Sequence, residues 1–318
     1  MITVFRLLLL FACALRSYAA ETEISFGILG TDSAAALRQN WTPFLNDMGR
    51  ETGLEVRVFF ATDYAGLVEA MRFDKIQLAW LGNKAAIEAV DRANGEVFAQ
   101  FVDMHGRSGY YSYIITHRES RVQTLDDMFR LGKELSFGLG DPQSTSGTLV
   151  PINGVFTARG LNPKEVFHVT RSSTHGGNLL AVINRQIDVS TNNSEELDKL
   201  QLSNPGKFAD VRILWTSEPI PRDPLVWRRS LDITVRERIQ KFVLNYGKDE
   251  REKAILAKLQ QISGFRSSDN RQLIPIRLLE VSQEKAKVTN DPNLNLTDKK
   301  VRLDALEKRR ADLENAAR

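Results

Sequence analysis

Beyond the first twenty residues, apolar positions fall alternately into short runs and into helical spacings. Ile24-Ser25-Phe26-Gly27-Ile28-Leu29 and Leu54 to Phe60 carry the β-branched and aromatic residues of strands, with a more polar helical stretch between them. The same signal predicts strands at Gln77 to Trp80, Val97 to Phe101, Tyr110 to Thr116, Leu135 to Gly138, Asp188 to Thr191 and Val211 to Thr216. Tyr64 to Phe73 is helical behind the N-cap Asp63, with Val68 and Met71 facing a core, and Asn83 to Asn94 is a second helix closed by Gly95. Strands alternating with helices predict parallel α/β layers. Turn residues cluster at Gly106-Arg107-Ser108-Gly109 and again at Pro219-Ile220-Pro221. A chain that crosses to a second lobe at the first cluster and returns at the second has a discontinuous first lobe, 20–108 with 222–291, and a continuous second, 109–221. From 292 to 318 the composition turns charged. There Thr297 is the expected cap of a helix from Asp298, whose Leu303, Leu306 and Leu313 form a thin stripe. Such a stripe lies on its own lobe or on a second copy, and a homodimer through this helix is one expectation.

The N-terminus changes the picture of where the protein works. Met1 to Arg6 carries one positive charge, Leu7 to Leu15 is almost wholly apolar, and Ser17 and Ala19 suit cleavage after Ala19. Residues 1–19 therefore read as a secretory signal peptide, which predicts export to the periplasm. Cys13, the only cysteine, lies within it. The mature chain accordingly has no thiol for disulfides, catalysis or metal ligation. A lipoprotein signal ending at Cys13 fits less well, because Phe11 and the short apolar run before it are poor matches. No later segment approaches the roughly 20 continuous apolar residues of a membrane span. The 318 residues, 42% hydrophobic and 26% charged, suit two globular lobes, and the net charge of +3 falls to about +1 once Arg6 and Arg16 leave with the signal. The basic residues are scattered, so nucleic acid is not an expected partner.

The segment richest in chemistry is Gly138-Leu139-Gly140-Asp141-Pro142-Gln143-Ser144-Thr145-Ser146-Gly147, a glycine-rich strand end that leads through three hydroxyls into a helical pattern. Hydroxyls and backbone N–H groups at a helix start stabilise an oxyanion without a basic residue. The Gly-Lys-Ser/Thr ending of a nucleotide P-loop is missing. Ser and Thr before a helix are also ordinary caps. His175, in a polar loop before the helical Leu179 to Asn184, can donate to an anion or simply face solvent. Glu195 and Asp223 can answer a cation or serve as cap and turn residues. Ser144 or Ser146 with His175 and Glu195 also offers a nucleophile, base and orienter, but no nucleophile-elbow motif accompanies them.

Taken in order, these segments resemble the phosphonate-binding proteins of phosphonate ABC importers over nearly the whole mature chain. Matching runs include Trp41-Thr42-Pro43-Phe44-Leu45, Asp63-Tyr64-Ala65-Gly66, Met71-Arg72-Phe73, Glu88 to Gly95, Ser144-Thr145-Ser146-Gly147, Thr191-Asn192-Asn193, Asp223-Pro224-Leu225-Val226-Trp227-Arg228 and Pro275-Ile276-Arg277. The resemblance implies a type II-like periplasmic-binding-protein fold: two α/β lobes joined by a two-crossing hinge, here with a C-terminal helical extension. It implies a binder with no catalytic residues, no cofactor and no metal, which captures an aminoalkylphosphonate such as 2-aminoethylphosphonate and delivers it to membrane-spanning permease subunits. Phosphate, phosphite or a phosphate ester is the alternative cargo, and a hydrolase on the same fold is the alternative class. By the same resemblance the phosphonate group falls to Tyr64, Tyr110, Ser144, Thr145, Ser146 and His175, and the ammonium to Glu195 and Asp223. Two departures stand out: Leu81 replaces a familiar aromatic, and Gly176-Gly177 replaces a polar pair after His175.

Overall fold

The computed structural model describes residues 23–107 and 109–317, so the expected signal peptide, Cys13 and Ser108 lie outside the described residues. Eleven strands form two separate sheets among these residues. The first contains β1 (Glu23–Ile28), β2 (Glu55–Phe60), β3 (Leu78–Trp80), β4 (Gly95–Asp103), β10 (Pro224–Arg228) and β11 (Ile262–Ser267), in the spatial order β11-β4-β10-β3-β1-β2. The second contains β5 (Ser112–His117), β6 (Ser136–Leu139), β7 (Val169–Ser172), β8 (Val189–Asn193) and β9 (Val211–Thr216), in the order β7-β6-β8-β5-β9.

Neither sheet is purely parallel, which corrects the expectation from simple alternation. β1 runs parallel to β2 and β3, but β10 enters between β3 and β4 and opposes both, and β11 opposes β4. In the second sheet β5 opposes β8 and β9 while β6 is parallel to β7 and β8. The reason is the double crossing. A chain that leaves one lobe after β4 and returns through β10 comes back in the opposite direction, and mixed sheets result.

The crossings themselves are paired. Tyr110 N–H donates to Ile220 C=O at 3.0 Å and Ile220 N–H donates to Tyr110 C=O at 2.8 Å. Only a glycine permits so close an approach just before: a Cβ on Gly109 would sit 2.2 Å from the Ile220 carbonyl oxygen.

The first lobe holds the larger core, where Trp41, Phe44, Trp80 and Phe101 are all buried. Trp41 stacks on Trp80 with ring centroids 5.2 Å apart. In the second lobe the sheet buries Ile114, Phe137 and Val189 on one face and Ile115, Leu179 and Leu197 on the other.

The tail forms a helix at Leu296–Ala316, two residues earlier than expected, because Asn295 and not Thr297 is the cap and accepts from Asp298 N–H at 2.9 Å. Its stripe does not await a second copy. Leu303, Leu306 and Leu313 pack on Val281 and Val288 of the chain's own Ile274–Asn290 helix.

Candidate functional site

Between the lobes lies a small polar cavity. It is narrow: the centre of a water-sized sphere has only about 20 Å³ in which to move. The lobes are drawn together around it. Lys84 N–H of the first lobe donates to Thr145 Oγ1 of the second at 2.9 Å, Tyr64 N–H to Asp141 Oδ2 at 3.2 Å, and Gly176 N–H to Thr31 C=O at 3.2 Å.

Helix starts converge here. Tyr64 opens the Tyr64–Arg72 helix, capped by Asp63 as expected, with Gly66 N–H donating to its carboxylate at 2.7 Å. Gly82 precedes the Asn83–Arg92 helix. From the second lobe come the π-helical turn Thr145–Leu149, the His175–Ile183 helix and the Ser194–Ser203 helix, capped by Ser144, Thr174 and Asn193. Each start presents the positive end of its peptide dipoles to the cavity.

All eight residues expected from the sequence line this space. The three hydroxyls each accept from a nitrogen. Ser144 Oγ accepts from Gly147 N–H at 2.9 Å, Thr145 Oγ1 from Lys84 N–H, and Ser146 Oγ from Asn193 Nδ2 at 3.3 Å. With those lone pairs engaged, the three O–H groups are left as donors. Burial first, and the neighbouring carboxylates after it, push the Tyr64 and Tyr110 phenols well above their usual values, so both also remain donors.

His175 is the first residue of its helix and not part of a loop. Its carbonyl accepts from Asn192 Nδ2 at 2.9 Å, and Thr174 Oγ1 accepts from Gly177 N–H at 3.0 Å, so the two glycines do not loosen it. Gly176 lies close to the opposing lobe: a Cβ there would sit 2.9 Å from Asp32 Oδ1. Burial, with Lys199 in support, lowers His175 to about 4, which leaves a neutral ring at pH 7. Its Nε2 lies 3.4 Å from Ser144 Oγ, while Nδ1 has no partner among the described residues. Glu195 does not orient the ring, so no nucleophile, base and orienter assemble.

The two carboxylates Glu195 and Asp223 line the same cavity. Asp223 is 5% exposed; its Oδ2 accepts from Trp80 Nε1 at 3.0 Å, and its Oδ1 has no partner among the described residues. Burial raises Asp223 to about 7 against the opposing influence of Trp80, Arg222 and Tyr110. Burial and then Asp223 push Glu195 well above the carboxylate range. Yet Glu195 is not waiting for a ligand alone, as the sequence suggested, because buried Arg222 bridges it to Asp103. Arg107 joins the same group, 2.9 Å from Asp103 and 2.7 Å from Asp198.

Sequence reasoning missed Arg222, Trp80, Thr31, Asn193 and Gln260 as parts of this site. Arg222 carried a signal, a basic residue beside the predicted acid in Pro221-Arg222-Asp223-Pro224; Gln260 carried none. Leu81 is buried in the first lobe's core, so the missing aromatic leaves the cavity wall intact. Among the described residues no cluster of side chains suits a metal ion, and no helix is long and apolar enough to cross a membrane.

Two α/β lobes hinged by two strands around an enclosed polar cavity define a solute-binding protein of the periplasmic type, a molecule that grips a ligand and does not transform it. The comparisons fix which. Residues 26–273 match the family described as ABC transporter, phosphonate, periplasmic substrate-binding protein. The chain is 44% identical over 294 residues to the phosphonates-binding periplasmic protein of Escherichia coli strain K12, covering 92% of this chain and 86% of that one. It superposes with a TM-score of 0.89 at 45% identity on a crystal structure from Pseudomonas aeruginosa, the binding protein component of an ABC phosphonate transporter, covering 93% and 97% of the two chains. PhnD1 from Prochlorococcus marinus, solved in complex with methylphosphonate, shares the fold at 17% identity with a TM-score of 0.71, covering 83% and 99%. The chain belongs to the phosphonate-binding periplasmic components of ABC importers.

Proposed function

We propose that this protein, exported by its Met1 to Ala19 signal, captures aminoalkylphosphonates such as 2-aminoethylphosphonate and releases them to the permease. The 20–108 with 222–291 and 109–221 segments act as the two moving bodies. One observation supports the amine in particular: among the hydroxyl and phenol donors that line the cavity, buried Asp223 keeps an Oδ1 with no partner among the described residues. The phosphonate takes the O–H groups of Tyr64, Tyr110, Ser144, Thr145 and Ser146 and the N–H of His175. Each charge-assisted hydrogen bond contributes roughly 1.5–3 kcal/mol. The ammonium takes Asp223 first, with Glu195 as a second acceptor shared with Arg222. A carboxylate beside a dianion only repels it, so Asp223 discriminates in favour of ligands that bring a cation.

Calorimetric titration with 2-aminoethylphosphonate, ethylphosphonate, phosphate and phosphite tests the reading. 2-Aminoethylphosphonate should bind tightest, and Asp223→Asn should weaken it by about tenfold or more while ethylphosphonate holds or gains. Glu195→Gln should cost less, because Arg222 already meets that carboxylate. Equal losses for the two phosphonates in Asp223→Asn would assign that residue to the architecture of the site and not to the amine.

A further inference from the structure

The Asn83–Arg92 helix carries a residue that its own chemistry does not favour. Lys84 lies in the first turn, where the positive end of the peptide dipoles disfavours a cation, and no side chain caps that start. Glu88, one turn further on, pairs with Arg92 at 3.2 Å. The Lys84 ammonium turns instead to the second lobe and donates to the Pro142 carbonyl. Burial there outweighs the pull of Glu280 and Glu88 and lowers the ammonium from its usual value, so the position carries a desolvation cost. Pro142 belongs to the turn that leads into the three hydroxyls. Within that turn Asp141 Oδ1 accepts from Gln143 N–H at 2.7 Å and Asp141 C=O accepts from Ser144 N–H at 2.8 Å, which braces 141–144 as one unit. The first lobe holds this unit and its neighbour through Lys84 Nζ on Pro142 C=O, Lys84 N–H on Thr145 Oγ1 and Tyr64 N–H on Asp141 Oδ2. Lys84 does not line the cavity, so any influence on a ligand passes through the turn.

We propose that Lys84 is a positioning residue for phosphonate capture, whose ammonium latches the 141–144 turn onto the first lobe as the cleft closes and so holds the Ser144 and Thr145 hydroxyls against the anion. This rests on the reading above in which the two segments move as separate bodies. The two halves of the latch lie on different lobes, so the latch is made only in the closed form. It therefore governs how long the ligand stays and not how fast it arrives. It also touches neither the amine nor the carbon chain, so it serves every phosphonate alike. Thr145 couples latch to ligand, because a hydroxyl that donates to an anion becomes a better acceptor for Lys84 N–H.

The test is stopped-flow tryptophan fluorescence with 2-aminoethylphosphonate and ethylphosphonate on the wild-type protein, Lys84→Met and Lys84→Arg. Lys84→Met removes the ammonium and keeps the backbone N–H. It should quicken dissociation about three- to tenfold for both ligands alike and leave association within about twofold. Lys84→Arg still carries a donor and should recover most of the loss. The melting temperature of ligand-free Lys84→Met should match the wild type, while the rise produced by saturating ligand should shrink. Unchanged dissociation in Lys84→Met would overturn the proposal. So would a loss confined to 2-aminoethylphosphonate, a loss carried by slower association, or one accompanied by a lower ligand-free melting temperature, which would make Lys84 a part of the first lobe's own stability. Failure of the underlying reading has a different signature, a wild-type radius of gyration that saturating ligand leaves unchanged.

Discussion

Asp223 combines three properties that set how the protein responds to pH: burial, a single indole partner and an unpartnered oxygen. In the closed empty cleft its carboxyl is raised to about 7, whereas in an open, wetted cleft it falls toward the ordinary carboxylate value of 3.8. A raised carboxyl favours the closed empty form fully below the ordinary value, and that favour is lost as pH rises through about 7. An ammonium in contact with Asp223 reverses the shift, so binding a cationic ligand expels a proton below that pH. Affinity for 2-aminoethylphosphonate should therefore climb from pH 5 to about pH 7 relative to ethylphosphonate, and the climb should flatten in Asp223→Asn. Calorimetry in buffers of different ionisation enthalpy reads the released proton directly. At the same scale, Ser144→Ala, Thr145→Ala and Ser146→Ala should each weaken phosphonates by about tenfold, since a donor missing from a dry anion site costs roughly 1–3 kcal/mol. The eight side chains expected from the resemblance all line one cavity, and of the caps around it Asp63 and the hydroxyls from Ser144 were legible as helix starts, whereas Thr174 and Asn193 were not. Arg222 was not legible in the same way. Its function depends on Asp103, distant in the chain though in the same lobe, and on Glu195, which meets it only when the lobes do.

The elements were legible where periodicity was clean and hidden where turn residues interrupted it. β9 spans the expected Val211–Thr216, whereas β10 was missed because Pro221 and Pro224 mark a turn, although Pro224 is only the first residue of a central strand. β11 was missed because Gly264 and Arg266 break the apolar run, and its pairing with β4 slips register between Ile262 and Gly264. The tail helix shows the opposite case, an element foreseen whose partner was not. Removing 292–318 should uncover Val281 and Val288 and cost roughly 2–4 kcal/mol of stability, read as a lower melting temperature. Phosphonate affinity should stay unchanged, because no residue of the tail lines the cavity.

For the whole molecule, the buried charges decide how readily the lobes meet. Asp103 and Glu195 share the buried guanidinium of Arg222, with Arg107 and Asp198 flanking them. Arg222→Met should leave Asp103 and Glu195 poorly matched in the closed form, and breaking one side of a buried pair costs roughly 3–5 kcal/mol. Small-angle scattering should show the wild-type radius of gyration shrink with saturating 2-aminoethylphosphonate, while Arg222→Met stays expanded at the same ligand concentration. An equal contraction in the variant would remove Arg222 from the closing mechanism.

The strand bridge at Tyr110 and Ile220 carries one more implication. Tyr110 belongs both to the pair of chain crossings and to the wall of the cavity, so the axle of the machine is also one of its fingers. If the lobes turn about this bridge, a ligand held by that phenol lies close to the axis, where movement displaces atoms least. The cargo can thus keep its grip on Tyr110 through opening while contacts far from the axis, such as Lys84 with Thr145, part first. Release then proceeds as an unzipping toward the axle, with the outermost contacts setting when the door opens and the innermost setting when the passenger leaves.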